Sequence, residues 1–410
     1  MAIKTQAEDF IVEEELGADF LAGVAPAVGP FALYQVRKRS LTTHELLDAL
    51  AKRLGLPVAD LAAAGLKDKH AVTSQHITLR VDANRRLPPR SIESPSYSAQ
   101  QLGFVPSAID AQAIARNRFR LVIRGLTRRA IDLMHQAAQR LMMEPADLHR
   151  SGARLCITNY FGNQRFGSAR AGQGFIAAHL VRGEFERALQ LAISIPHRRD
   201  LLRVKQFKQM VAEQWDSHRW SDVLDSLPKL PERAAIEHLA RKPGDFRGAF
   251  AALPYFFQQL TVEAYQSLLW NRMVTALLID RLSEGGRLWV VDDSFGQLIF
   301  PEAEAIPADL RDLEVPLLGR KTVLAEPWKS AATQVLREEG LEIGDLRIPG
   351  LDRPWFGEVS RTVFAEAERF HMGIPQTDDS DSKRRRLKVT TSFALPRGAY
   401  ATVVLRALGH

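Results

Sequence analysis

Residues 42–81 constrain the fold more than any other stretch of this chain. Thr42-Thr43-His44-Glu45 is a capping box in front of Leu46, Leu47, Leu50 and Leu54, apolar residues at helical spacing, and Gly55 and Pro57 stop the run. Ile77-Thr78-Leu79-Arg80-Val81 then alternates apolar and polar side chains, the pattern of a strand. Between helix and strand the chain must turn, and Gly65 permits a tight path. The turn presents Asp68 flanked by Lys67, Lys69 and His70. Cations in close contact favour an ionised carboxylate, by roughly 1–3 pKa units. Two readings stay open here: a reactive carboxylate on a turn, or the commoner solvated Lys-Asp-Lys surface.

With 410 residues the chain is long enough for two sizeable cores, and two domains are expected. Its 46% hydrophobic and 25% charged residues exclude general disorder. A net charge of +7 favours a polyanionic partner, while a basic enzyme with a small anionic substrate stays possible. The single Cys156 excludes an intramolecular disulfide framework and multi-cysteine zinc sites, suits a reducing cytoplasm, and is expected to be a buried, inert thiol. The first ten residues lack the basic region and apolar run of a secretion signal. The longest uncharged stretch, 20–36, is broken by Gly23, Pro26, Gly29 and Pro30, so no membrane-spanning helix is expected there.

In chain order, Phe10-Ile11-Val12-Glu13-Glu14-Glu15 reads as a short strand, with residues 31–36 as its partner. Arg37-Lys38-Arg39 is then either a solvated strand end or a phosphate contact, and Arg85, Arg86 and Arg90 fall in a loop. Residues 117–124 alternate basic and apolar, giving one cationic face that can lie along a nucleic-acid backbone. Residues 127–143 form an amphipathic helix through Ile131, Met134, Ala138, Leu141 and Met142. The block 158–167, dense in aromatics and amides, suits stacking on bases or, equally, a packed turn. Residues 167–173 miss a phosphate-binding loop for want of its Lys and Ser/Thr.

From about 175 to about 315 the sequence turns mostly helical and reads as an insertion, including helices at 184–195, 217–227 and 261–282, a basic run at 198–203 and a hairpin about 292–296. The run 378–386 passes from acidic to basic without an apolar residue, as a mobile connection would. Residues 388–395 and 400–405 are both β runs, so the chain is expected to end in a strand returning to the first sheet.

Taken together, the blocks resemble the TruD-type tRNA pseudouridine synthases. Gly65-Leu66-Lys67-Asp68-Lys69-His70-Ala71-Val72-Thr73-Ser74-Gln75 is similar to that family's Gly-x-Lys-Asp-x-x-Ala-x-Thr-x-Gln signature. Asn159-Tyr160-Phe161-Gly162-Asn163-Gln164-Arg165-Phe166-Gly167 resembles a second block. Glu8-Asp9-Phe10-x-Val12-x-Glu14, Ala264-Tyr265-Gln266-Ser267 and Leu395-Pro396-x-Gly398-x-Tyr400-Ala401-Thr402 follow in the family's order.

The resemblance implies an α+β fold: a split catalytic domain with a mixed, largely antiparallel sheet, at 1–174 and 346–410, interrupted by an inserted α/β domain at 175–345. It implies a monomeric, cytoplasmic isomerase that converts uridine to pseudouridine in tRNA, typically at position 13, without cofactor or metal. Asp68 matches the catalytic aspartate and Lys4 a lysine beside it; Phe10, Asn117, Phe119 and Tyr400 match positions around the target base. One block departs, because Arg116 and Ala113 stand where the family usually has Gly and His. The second reading is a non-catalytic protein that binds structured RNA; it shares the basic surface but has no need of a reactive Asp68.

Overall fold

The computed structural model describes residues 3–26, 29–82, 88–150, 152–169, 173–197, 200–285, 287–380 and 386–409. Arg85, Arg86, Arg198, Arg199, Gly286, residues 170–172 and residues 381–385, on which several of the readings above fall, lie outside them. The chain divides into two compact units, one of Met1–Asn159, Glu302–Glu304 and Phe364–His410, the other of Tyr160–Pro301 and Ala305–Val363.

The first unit opens with β1 (Phe10–Leu16), α1 (Ala18–Ala22), β2 (Phe31–Arg39), α2 (Thr43–Leu54), β3 (Leu61–Ala63) and β4 (Val72–Arg80). It continues with β5 (Ser91–Glu93), β6 (Tyr97–Val105), β7 (Ile114–Leu126), α3 (Arg128–Leu141) and β8 (Ala153–Thr158). The capping box is formed as read: Thr42 Oγ1 accepts from the Glu45 amide at 3.1 Å, and Glu45 Oε2 accepts from the Thr42 amide at 2.7 Å. Gly55 closes α2 at φ +65°, a left-handed conformation that glycine adopts without strain. Leu46, Leu50 and Ala51 of α2 then bury against Tyr34, Val36, Ile77 and Leu79 of the sheet. Each such leucine contributes about 1.5–3 kcal/mol, so this packing fixes where the 64–71 turn begins and ends.

The second unit holds α4 (Ile176–Val181), α5 (Phe185–Ile193), α6 (Leu202–Gln214), α7 (Trp220–Leu224), α8 (Arg233–Arg241), α9 (Phe246–Ala251) and α10 (Tyr255–Leu282). After them come the hairpin β9 (Leu288–Asp293) and β10 (Gly296–Pro301), then α11 (Ala308–Arg311), β11 (Glu314–Pro316), α12 (Lys329–Glu338) and β12 (Ser360–Thr362). The block 158–167 resolves as the packed turn. Tyr160 hydroxyl bonds Thr275 at 3.0 Å and accepts from the Ile299 amide at 3.0 Å, while Phe161 exchanges backbone bonds with the Asn271 side chain at 2.8 and 2.9 Å. Both rings are buried, so neither is available to stack on a base.

The chain then returns to the first unit through β13 (Phe364–Met372), β14 (Gln376–Thr377), β15 (Leu387–Pro396) and α13 (Ala401–Ala407). The sheet order is β5-β6-β2-β4-β1-β7-β15-β13-β8, with β3 beside β4 and β14 beside β15; only the β1–β4 pair is parallel. Hence β1 and β2 are not partners, as the sequence suggested; β4 lies between them. The last β run is also corrected: residues 401–407 are helical. Val403 and Val404 are β-formers, but the cost of placing them in a helix is a few tenths of a kcal/mol each, and their burial with Leu405 outweighs it.

The split falls at 159/160 and 363/364, where the sequence reading placed it at 174/175 and 345/346. Thr158 and Phe364 are directly paired on adjacent antiparallel strands, so the second unit leaves and re-enters the sheet at one hairpin position.

Candidate active site

Cross-strand partners project from the same face, so the registers define one row of side chains across the sheet: Lys38 opposite Thr73, Thr73 opposite Val12, Val12 opposite Phe119 and Phe119 opposite Phe393. Phe119 meets Phe10 edge to face at 6.3 Å between ring centres and lies 5.7 Å from Phe393. Phe10 and Phe119 are buried, giving the site an apolar floor.

The turn carrying Asp68 is held by three separate anchors. Thr43 Oγ1, at the start of α2, accepts from the Lys67 amide at 2.9 Å. Lys38, 1% exposed, donates to the carbonyls of Leu41 at 2.6 Å and Asp68 at 3.0 Å. Burial pushes the Lys38 ammonium down to about 8, against the opposing pull of the Asp68 charge. Lys69, on the outer side, pairs with Glu45 at 2.7 Å.

Lys67 points the other way, into a buried network. Its ammonium lies 2.7 Å from Glu14 and donates to Asn117 Oδ1 at 3.1 Å. Glu14 also accepts from the His76 amide at 2.7 Å. Burial opposes charge on Glu14, but the His76 bond and Lys67 outweigh it and hold the carboxyl below its usual range. Asn117 is thus anchored through Lys67 to the turn that carries Asp68.

Asp68 itself is half-buried, and its Oδ2 accepts from Lys4 Nζ at 2.5 Å. The same ammonium sits 4.0 Å above the centre of the Phe10 ring. Lys4 has a left-handed backbone, φ +62°, and five residues later Asp9 is fixed by Arg124 in a bidentate contact at 3.0 Å with a third bond at 2.8 Å. The structure therefore brings Lys4 into contact with both Asp68 and Phe10, places Phe119 against Phe10, and links Asn117 to the turn. Tyr400 stands half-buried at the N-terminus of α13, just after β15.

Two readings of basic side chains change. The cluster 37–39 divides: Arg37 and Arg39 are exposed, Arg39 pairing with Glu8 at 2.9 Å, whereas Lys38 is the buried support just described. The cationic face of β7 is opposite the one bearing Asn117 and Phe119. There Arg118 faces Glu13, Arg116 faces Glu15 and also pairs with Glu368 at 2.5 Å, and Arg124 is buried. The acidic end of the 378–386 run is likewise tied down: Asp378 and Asp379 bond Arg124 at 3.0 and 2.6 Å. Cys156 is buried, as expected.

Lys38 and Glu14 were not singled out from sequence, although a signal was present. Both occupy the buried parity of their strands, Lys38 in line with Tyr34 and Val36, Glu14 with Phe10 and Val12, where a charged residue demands a partner.

The tRNA pseudouridine synthase D (TruD) family model matches residues 1–408. The tRNA pseudouridine synthase D of Aquifex aeolicus is 28% identical over 99% of this chain and 97% of its own length. A probable tRNA pseudouridine synthase D 1 of Methanococcus maripaludis is 24% identical over 99% and 98%. The crystal structure of a putative tRNA pseudouridine synthase D from Methanosarcina mazei superposes with a TM-score of 0.69 at 22% identity, covering 99% of this chain and 92% of that one, which establishes the shared α+β fold. By sequence and fold, the chain belongs to the tRNA pseudouridine synthase D family, a family of isomerases.

Proposed function

We propose that this protein isomerises uridine to pseudouridine in tRNA, at uridine 13, with Asp68 as the reacting group and no cofactor. The observation that carries the reading is the Lys4–Asp68 contact over the Phe10 ring, on a turn held rigid from three sides. The reaction breaks the bond from ribose C1′ to N1 and joins C1′ to C5 of the turned base. The C5 proton leaves and N1 takes one up, so the mass is unchanged. Attack by the carboxylate on C1′ and its removal of the C2′ proton both require an anion at the sugar, and Lys4 supplies its counter-charge. Lys4, Phe10, Asn117, Phe119 and Tyr400 are assigned to the surroundings of the flipped nucleotide, with Asn117 offering an amide to the uracil edge and Tyr400 a ring to stack on it. Extrusion of that nucleotide costs a few kcal/mol, recovered from contacts elsewhere on the RNA.

Asp68→Asn tests this reading. It keeps the shape and removes the charge, so pseudouridine formation, followed as a mass-silent carbodiimide-reactive product in uridine-labelled tRNA, should disappear. A loss of at least several kcal/mol in barrier is expected, each ~1.4 kcal/mol being tenfold in rate. Binding of tRNA should persist, since phosphate contacts come from cations elsewhere. An Asp68→Asn protein that isomerises uridine at the wild-type rate refutes the assignment.

A further inference from the structure

Large aromatic rings are normally buried, and scattered exceptions need no explanation. In the second unit three of them gather at one place. Tyr255 and Phe256, in the first turn of α10, are 44% and 68% exposed, and Trp355 is 51% exposed. The Arg353 guanidinium carbon lies 5.8 Å from the Tyr255 ring centre and 5.4 Å from that of Trp355, so the cation sits between the two rings. The arrangement is built rather than accidental. Gln259, one turn along α10, accepts from the Tyr255 hydroxyl at 3.4 Å and donates to the Trp355 carbonyl at 3.2 Å, tying both ends of the ladder to the same helix.

Trp355 also forms one wall of a cavity of about 480 Å³ whose lining includes Arg320, Arg347 and Asp352. Arg320, Arg347 and Arg353 are exposed and make no ion pair with any described residue, so the cavity lining carries two cations against the one carboxylate of Asp352, with Arg353 on the rings beside it. Flat rings alternating with a guanidinium plane, beside unneutralised arginines, match the chemistry of an unstacked nucleotide: the base stacks on ring or guanidinium and its phosphate meets the cations. A protein partner's apolar surface would leave those three charges desolvated and unpaired, at a cost.

We propose that the Tyr255–Arg353–Trp355 ladder is a stacking site for an unpaired nucleotide of the RNA substrate, with Arg320 and Arg347 receiving its phosphates. The proposal rests on the tRNA reading above and extends it to a second point of contact, carried entirely by the inserted unit.

The test measures the dissociation constant for an unmodified tRNA transcript, and kcat and KM for pseudouridine formation, on the full-length protein. Trp355→Ala should raise Kd and KM about 5- to 100-fold, the usual range for losing one stacked base, and leave kcat unchanged, since the lost contact is equal in ground and transition states. Trp355→Phe keeps a flat ring and should restore affinity to within about threefold of wild type. Arg353→Gln should weaken binding in the same sense as Trp355→Ala. Unchanged Kd and KM in Trp355→Ala, with wild-type isomerisation intact, overturn the stacking site while leaving the proposed function standing, and assign the exposed rings to a protein partner. If the wild type binds tRNA without isomerising it, the functional reading fails and Kd still decides the stacking site. A wild-type protein that does not bind tRNA overturns both.

Discussion

At the scale of single residues, Lys38 is the most informative side chain in the site that does not face the substrate position. Its buried ammonium caps two carbonyls, Leu41 and Asp68, at the base of the reactive turn. Replacing it in Lys38→Met has two opposed effects on stability. Two buried acceptors lose their donor, at about 1–3 kcal/mol each, while the desolvation of an ammonium no longer has to be met. Net stability should therefore change little, but the Asp68 turn loses its support, and kcat should fall by up to roughly 100-fold, the effect of an ångström of misplacement. The pH dependence has a definite sign. Lys38 is held at about 8 in the native state against an ordinary value of 10.5, so across that interval the unfolded chain binds one more proton than the folded one. Stability contributed by this group should rise with pH in that window, by up to about 1.4 kcal/mol per unit, and Lys38→Met should lack the rise. Urea titrations of both proteins across the window check it; identical pH profiles would show that the Lys38 ammonium is no harder to keep charged in the folded protein than in the unfolded chain. Asp68 stood out as a candidate because it lies in a block that resembles a family signature, whereas the burial of Lys38 and Glu14 was legible only by strand parity, which requires knowing which face of each strand is covered.

At the scale of elements, β7 shows how much a charge pattern depends on the strands beside it. Read along the chain, residues 117–124 are a cationic stripe; in the sheet Arg118 faces Glu13 and Arg124 is buried, while Arg120 is exposed opposite Ile11 and Ser392. Neutralisation of this kind depends on strand order, which periodicity cannot supply. Arg124 is the clearest case, a buried guanidinium joining Asp9, Asp378 and Asp379. Burial opposes charge on Asp378, but Ser380, the Gly125 amide and Arg124 hold its carboxyl at about 2. Asp9 also accepts from the Gln6 amide at 3.1 Å, closing the short turn that follows Lys4. Arg124→Met should leave Asp9 and Asp378 buried without a counter-ion and cost about 3–5 kcal/mol, measured by denaturant titration of the first unit. Because the Lys4 segment is anchored through Asp9, activity at temperatures where the variant remains folded should fall as well. Full activity in a folded Arg124→Met protein would show that Lys4 is placed by other contacts. The predicted helix and strand around the Asp68 turn were recoverable from capping and alternation, but the C-terminal helix was not, since Val403 and Val404 carry β propensity and only burial decides.

At the scale of the whole molecule, a division into two units was readable from the change to helical patterning, while the residues at which the chain passes between them were not. The block 159–167 fell with the first domain because helical patterning begins only after it; buried Tyr160 and Phe161 instead belong to the second unit. The pairing of Thr158 with Phe364 gives this a practical consequence. Directly paired residues of adjacent antiparallel strands are about 4.5–5.5 Å apart, a gap that a hairpin loop of roughly 2–5 residues spans. Excision of 160–363 with such a loop should therefore leave the sheet closed at that edge, whereas removal of 175–315 would leave fragments of the second unit attached. The excision also removes Glu302, and with it a partly exposed contact to Arg140 at 3.7 Å, a loss of about 1 kcal/mol at most. Asp68, Lys4, Lys38, Glu14 and Lys67 all remain, so the constellation proposed to react is retained in full. If the second unit supplies RNA binding and none of the chemistry, the excised protein should fold with a cooperative melt, bind tRNA at least about tenfold more weakly, and turn over correspondingly more slowly. Circular dichroism establishes the fold, and tRNA affinity and pseudouridine yield on the same preparation decide the role. A folded protein with wild-type affinity and turnover would show that the second unit is dispensable for substrate recognition.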